Sequence, residues 1–217
     1  RREFLGNVSH ELKTPIFNIQ GYILTLLNGG LNDETINTKF LTKSVKSINR
    51  MIAIVEDLEE IAKLESGELK LQEETFDLLQ LTREVIDFLE RKASEYNATI
   101  YLKTPVARLF KVKADKKRIR QVLINLIDNA IKYRRDALQI EIATAIRNTM
   151  FIITVKDNGQ GMSSETIHHI FDKFYRLTEA NVHTVKGYGL GLSYVKAIIE
   201  KHKGQIQVQS EIGFGSR

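Results

Sequence analysis

Two apolar stripes at helical spacing, separated by a glycine pair, constrain this chain more than any other feature. Leu5, Val8, Leu12, Ile16, Ile19, Ile23 and Leu26 recur at intervals of three and four, the repeat that places side chains on one face of an α-helix. Asn28-Gly29-Gly30 ends that pattern, as glycine does at helix C-termini. Asn32 and Asp33 then offer a cap. Leu41, Val45, Ile48, Ile52, Val55, Leu58 and Ala62 carry a second stripe to about Leu64. At ~1.5 Å per residue each helix is roughly 40 Å long. Two such helices joined by a short loop form an antiparallel hairpin with an exposed apolar seam. A second copy of the chain would cover that seam and complete a four-helix bundle.

The remainder has a different grammar. Ser66-Gly67-Glu68 breaks the helical repeat, and residues 66–76 read as an extended connector. Helices are expected over 78–96, 116–133 and 190–203. Strands are expected over 99–103, 140–146, 151–156 and 205–210, with Arg147-Asn148-Thr149 as a hairpin turn. This alternation predicts an α/β sandwich, a mixed sheet with helices covering one face. The expected organisation is a helical hairpin over 1–65, a linker over 66–76 and an α/β domain over 77–217.

Composition narrows the function classes. The chain is 42% hydrophobic and has no cysteine, which excludes disulfides and thiolate chemistry. No apolar run approaches the ~20 residues that span a bilayer. The net charge is +5, but it is unevenly placed. Residues 1–72 hold 9 Lys/Arg against 10 Asp/Glu, and residues 73–217 hold 23 against 17. The basic excess therefore sits with the glycine loops, where a nucleotide triphosphate accounts for it as well as nucleic acid does. The near-neutral helical half, with no helix basic along one face, argues against a nucleic-acid reader.

The first helix carries Ser9-His10-Glu11-Leu12-Lys13-Thr14-Pro15-Ile16. His10 falls off the apolar stripe and should face solvent, where a lone histidine is ordinarily just a surface residue. Its neighbours add chemistry. Thr14 lies four residues on, on the same face. Glu11 is expected to accept a hydrogen bond from one ring nitrogen and fix the tautomer, leaving the other as a neutral nucleophile. Pro15 removes an N–H and clashes with the Glu11 carbonyl, so a bend is expected there.

Three downstream clusters suggest a nucleotide site. In 125–133, Asn125 and Asn129 share a helix face, where amide oxygens help to hold a hard cation such as Mg²⁺. Lys132 can meet a phosphate as a point charge, and Tyr133 offers a ring to the nucleotide. An ordinary amphipathic helix explains the same residues equally well. In Asp157-Asn158-Gly159-Gln160-Gly161, a strand-end carboxylate can accept from an adenine amino group, and Gly159 and Gly161 let backbone approach the base. Gly-Asp turns are also common for purely structural reasons. Gly187-Tyr188-Gly189-Leu190-Gly191 opens a helix, whose N-terminus favours phosphate. The polar stretch 177–186 before it suits a lid. Phe171 and Phe174 read as core, Arg176 as either a phosphate contact or a surface residue, and Gly213-Phe214-Gly215-Ser216 as a turn. A reactive imidazole beside a separate nucleotide site suggests phosphate transfer onto histidine.

In this order and spacing, the segments resemble the sensor histidine kinases of two-component systems. Residues 9–16 are similar to the phosphoacceptor box, 125–133 to the N box and 157–162 to the first glycine box. Residues 171–176 resemble the F box, 187–192 the second glycine box and 213–216 the third. The resemblance implies a dimerisation and phosphotransfer hairpin followed by an ATP-binding domain of the Bergerat type. It implies His10 as phosphoacceptor, Glu11 as general base, and Thr14 as the residue orienting water when a partner response regulator is dephosphorylated. Asn125 and Asn129 would serve Mg²⁺ and the phosphates, Lys132 the phosphates, Tyr133 the nucleotide surface and Asp157 the adenine amino group, with Gly159 and Gly161 beside the base. Gly187, Gly189 and Gly191 would shape the lid and phosphate end, and Arg176 would add a contact. The cofactors implied are ATP and Mg²⁺. The partners implied are a second copy and a response regulator whose aspartate takes the phosphoryl group. A sensor and membrane anchor are expected upstream, so that this chain is the cytoplasmic portion of an inner-membrane protein. Members normally continue into a final strand ending near Leu-Pro, so an edge strand is expected beyond Arg217. Rival readings are another ATPase of the same nucleotide fold, which has no use for residues 9–16, and a dimeric scaffold with decayed nucleotide boxes.

Overall fold

A computed structural model describes every residue except 1, 67, 104–110, 148–149, 174 and 176–188. Helix α1 spans Arg2–Leu27, a 3-10 turn covers Gly30–Asn32, and helix α2 spans Asn37–Glu65. Gly29 takes φ of +107°, a left-handed conformation that favours glycine and turns the chain back. Helix α2 starts later than the expected cap at Asn32 or Asp33. Asp33 instead accepts from the Thr35 backbone N–H at 2.8 Å and the Thr35 hydroxyl at 2.6 Å, a local turn that competes with helix. These bonds hold the exposed Asp33 carboxyl below the usual carboxylate range. Helix α1 continues through Pro15, whose ring is buried.

The two faces of α2 behave differently. Ser44 and Ile54 are buried, with Phe40, Ser47, Met51 and Leu58 half-buried between and beside them. The stripe that dominates the sequence, Leu41, Val45, Ile48, Ile52 and Val55, is exposed. On α1, Leu26 is buried while Ile16, Phe17, Ile23, Leu24 and Leu27 are exposed. The strongest apolar periodicity therefore marks the outer seam, and the hairpin closes on a mixed face.

The chain divides into two units, Arg1–Leu69 and Lys70–Arg217. Part of the expected connector over 66–76 belongs to the second unit, where strand β1 (Glu74–Asp77) pairs antiparallel with strand β3 (Lys111–Ala114). The larger sheet has the order β2-β4-β5-β7-β6. Its strands are β2 (Thr99–Lys103), β4 (Gln139–Arg147), β5 (Met150–Asp157), β6 (Ser210–Glu211) and β7 (Gly215–Ser216). Strand β2 runs parallel to β4, and β5 runs antiparallel to it in a hairpin that pairs Arg147 with Met150. The turn expected at Asn148-Thr149 lies outside the described residues. The strand expected over 205–210 shrinks to its last residue, Ser210. Gln209 still exchanges two hydrogen bonds with Arg217.

Helices α3 (Leu78–Glu95), α4 (Lys116–Lys132) and α6 (Gly191–Lys201) complete the unit with a short helix α5 (Ser164–His169). Each start has a chemical cause. Asp77 accepts from the Leu79 N–H at 2.9 Å, Asp115 from the Arg118 N–H at 3.1 Å, and Ser163 from the Thr166 N–H at 3.1 Å, satisfying donors that a helix N-terminus leaves open. Leu81, Val85, Leu123, Ile127, Ile131, Ile140 and Ile142 are at most 1% exposed and form one core between α3, α4 and the sheet. The opposite face of the sheet shows Tyr101 and Ile152 to solvent. This is a mixed sheet with helices on one face, as the sequence pattern predicts.

Candidate functional site

Helix α4 presents a second stripe beside its core face. Asn125, Asp128, Asn129 and Lys132 follow one another at helical intervals, and all are half-buried. The Asn125 amide donates to the Gly191 carbonyl at 3.4 Å and accepts from Gln121 at 3.2 Å. That contact ties α4 to the first residue of α6. Among the described residues the Asn129 carboxamide has no hydrogen-bond partner.

Lys132 does not stand alone. Its ammonium lies 2.7 Å from Asp128, which also pairs with Lys92 on α3. Burial by itself would raise the Asp128 carboxyl. Hydrogen bonds and charge from Lys132 and Lys92 outweigh it and hold the group below its ordinary range. The pair of Asp128 with Lys132 is local to one helix, whereas its pair with Lys92 spans 36 residues and leaves no sequence signal.

Strand β5 ends at Asp157, where three separate segments meet. Oδ1 of Asp157 accepts from the Gly159 N–H at 2.8 Å and from the Ser216 N–H at 3.3 Å. Burial pushes the Asp157 carboxyl up, against the downward pull of those two donors. Both bonds use one oxygen, so the other keeps its acceptor capacity. Asn158 locks the turn from behind, accepting from the Gln139 N–H at 2.7 Å and donating to the Ala137 carbonyl at 3.2 Å.

Glycine is required around this carboxylate by space. A Cβ on Gly159 would sit 2.6 Å from the Tyr133 carbonyl oxygen. At Gly161, where φ is +69°, it would overlap the Glu211 carbonyl, and at Gly215, φ +97°, the Asp157 carbonyl. The Gln160 N–H donates to the Tyr133 carbonyl at 3.0 Å, so the C-terminus of α4 is fastened to the loop after β5. Tyr133, Asp157, Gly159 and Gly161 are thus brought together. The pairing of Gly215-Ser216 with Asp157 makes the last glycine cluster part of the same constellation, which its reading as a turn does not anticipate. Gly189 has φ of +69° and Gly191 begins α6. Arg176, Gly187 and the lid segment 177–186 lie outside the described residues.

In the other unit, His10 is exposed on α1. The Thr14 hydroxyl donates to the His10 carbonyl at 3.3 Å. The expected bond from the His10 ring to Glu11 is not formed. Glu11 turns into the hairpin and meets Nη2 of Arg50 on α2 at 3.1 Å. Adjacent helical residues point about 100° apart, so Glu11 faces α2 while His10 faces out. Arg50, 39 residues away, carries no local signal that would have paired it with Glu11.

Comparison with known proteins extends this geometry. Residues 1–67 match the family model of the His Kinase A (phospho-acceptor) domain. Residues 114–217 match that of the histidine kinase-, DNA gyrase B- and HSP90-like ATPase. The sensor protein kinase WalK of Staphylococcus saprophyticus is 35% identical over 219 residues, covering all of this chain and 35% of WalK. The chain thus spans about a third of the length of the curated relatives it matches. Among solved structures, the Acinetobacter baumannii histidine kinase AdeS superposes with a TM-score of 0.75 at 29% identity, over 95% of this chain and 94% of AdeS. The histidine kinase ThkA matches as an isolated catalytic domain, with a TM-score of 0.58 and 32% identity over 67% of this chain and 92% of that one. It also matches in complex with the response regulator protein TrrA, with a TM-score of 0.75 and 28% identity over 99% of this chain and 59% of that one.

Proposed function

The chain belongs to the two-component sensor histidine kinase family as an ATP-dependent protein-histidine kinase core, and from that premise we propose that His10 accepts the γ-phosphoryl group of ATP and passes it to an aspartate of a response regulator. The observation that carries this reading is the exposed imidazole of His10, beside a helix face otherwise committed to packing. One ring nitrogen attacks the γ-phosphorus as the bond to the ADP oxygen breaks. The other gives its proton to Glu11, the general base of this step. The phosphoryl group then moves from the ring to the regulator carboxylate, a reading supported by the similarity to ThkA, which was solved in complex with the response regulator protein TrrA.

Asp157 is the adenine-recognising carboxylate, using the acceptor capacity left on its second oxygen, with Gly159 and Gly161 beside the base and Tyr133 along it. Asn125, Asn129 and Lys132 face the phosphates, with Gly187, Gly189, Gly191 and Arg176 at the lid and phosphate end. Mg²⁺ fits the Asn129 carboxamide, which has no partner among the described residues, with Asn125 on the same helix face; when bound it would neutralise phosphate charge. Thr14 has a dephosphorylation role once its hydroxyl leaves the His10 carbonyl and orients water toward the phosphorylated regulator. The domains proposed are 1–65 for dimerisation and phosphotransfer and 77–217 for ATP binding.

A second copy covers the exposed seam of Leu41, Val45, Ile48, Ile52 and Val55, making the four-helix bundle. No helix of the described residues is long and apolar enough to cross a membrane. In this proposal the sensor and membrane anchor belong to other parts of a longer protein, and this core works on the cytoplasmic side. Incubation with γ-labelled ATP tests the central step. The expected result is acid-labile, alkali-stable label on the chain that is absent from His10→Gln. Label that survives that substitution overturns the reading.

A further inference from the structure

Two ammonium groups share the carboxylate of Asp128, one from its own helix and one from another. Lys132, four residues on in α4, lies 2.7 Å from Oδ2, and Lys92, in the last turn of α3, pairs with Oδ1. Each cation therefore has its own oxygen, and neither displaces the other. The Asp128 side chain is 18% exposed, against 28% for Lys132 and 40% for Lys92. The carboxylate is the least hydrated of the three groups, so its charge is the one that most needs a partner. A phosphate contact by Lys132 runs against this arrangement, because its ammonium has to turn away from Asp128. With no other cation present, that move would leave a partly desolvated carboxylate unpaired and close to a second anion, and both effects oppose it. Lys92 removes the first, since it stays on Oδ1 from a different helix whatever Lys132 does. Two ammoniums against one carboxylate also leave the cluster net positive beside the phosphates.

We propose that Lys92 is a positioning residue for the phosphate end of the site: by holding Asp128, it lets Lys132 leave that carboxylate for the phosphates of ATP. The inference rests on the reading of Lys132 as a phosphate contact. Lys92 acts through Asp128 and touches no substrate. Arginine in place of Lys92 keeps a permanent cation with donors for the same oxygen. Methionine keeps most of the apolar stem and loses the charge.

The test compares ATP with adenosine, which has no phosphates, in NMR titrations of the full chain with Mg²⁺ present. Lys92→Met should weaken ATP binding about fivefold, the worth of one partly exposed ion pair, and leave adenosine binding unchanged. Lys92→Arg should bind ATP as the wild type does. In Lys92→Met with Asp128→Asn no carboxylate remains to be stranded, and ATP affinity should return to the wild-type value or above it. Unchanged ATP affinity in Lys92→Met overturns the inference. So does Lys92→Arg as weak as Lys92→Met, or a double variant that recovers nothing. An equal loss for adenosine and ATP overturns it too, because that pattern marks a general loosening of α3 against α4. Lys132→Met judges the underlying reading separately: it should weaken ATP and spare adenosine. If it weakens neither, Lys132 is no phosphate contact and the inference falls with it. If it weakens ATP while Lys92→Met does not, Lys132 keeps its role and the role of Lys92 alone fails.

Discussion

The helical hairpin and the α/β unit bury their apolar residues in opposite ways. The α/β unit encloses its own core, with Leu123, Ile127, Ile140 and Ile142 fully buried. The hairpin buries Leu26 and Ile54 but leaves its longest apolar stripe open, with Val45 54% and Ile52 50% exposed. A unit with its own core is specified within one chain. A unit with an open stripe has part of its stability held by association. The difference suits a molecule whose nucleotide chemistry sits on a self-contained domain and whose phosphoacceptor sits on an element that a partner completes.

Four experiments break or sharpen this contrast. The largest effect falls on function: His10→Gln should abolish acid-labile label yet leave nucleotide binding unchanged by calorimetry. Asp157→Ala should weaken nucleotide binding about 10- to 100-fold, the loss of one hydrogen bond to a charged group, and the label should fall with it. Loss of nucleotide binding in His10→Gln would mean the two units are not separable in this way.

Next comes stability. Leu123→Ala removes a fully buried side chain and should cost about 3 kcal/mol in denaturant unfolding. Ile48→Ala, on the exposed seam, should change unfolding of the α/β unit by less than about 0.5 kcal/mol. Its effect should appear instead as weaker self-association by sedimentation, with a concentration-dependent melting temperature. An Ile48→Ala chain that self-associates like wild type would show that this stripe is not the seam.

A smaller, pH-dependent effect separates two carboxylates of the α/β unit. Asp128 is held below its ordinary value, so it stabilises the fold above the unfolded carboxylate pKa, and that contribution is lost as pH falls through its folded value. Asp157 is raised, so the folded state takes up its proton more readily than the unfolded state. Its contribution therefore runs the other way: stability declines as pH rises from the unfolded value through the raised one. Asp128→Asn should flatten the acid limb of a melting-temperature profile. Asp157→Asn should raise the melting temperature at neutral pH while weakening nucleotide binding, because a desolvated charge is removed from a site that needs it. Parallel profiles for the two variants would contradict these opposite signs.

The smallest effect concerns Gly159. Alanine there has to push against the Tyr133 carbonyl at 2.6 Å, and nucleotide affinity should drop through a displaced loop while the hairpin is untouched. Unchanged affinity would show that the loop yields without disturbing the site.

Much of this was legible in the sequence because it is local. The periodicity of α1, α3 and α4 follows from spacing, and Asp157 at a strand end with glycines two and four residues later follows from turn chemistry. The small sheet of β1 and β3 was missed, since four-residue strands 37 positions apart, Glu74 to Lys111, leave almost no pattern. The strand expected over 205–210 alternates correctly, with Ile206 and Val208 half-buried, but pairing rather than alternation defines a strand. Glu11 follows His10 in sequence, yet its carboxylate meets Arg50 across the hairpin, because adjacent helical residues point in different directions.

By itself, the sequence determined the two long helices and the class of the second unit, because side-chain type and helical or strand period are properties of short windows. Only the tertiary structure decided which apolar stripe of α2 faces out, that Lys92 meets Asp128, that Ser216 meets Asp157, and that Glu11 meets Arg50. Three of these are contacts between residues 36 to 59 positions apart, and the other is a choice between two faces of one helix. Distance in sequence carries no information about which side chains the fold will press together; packing does.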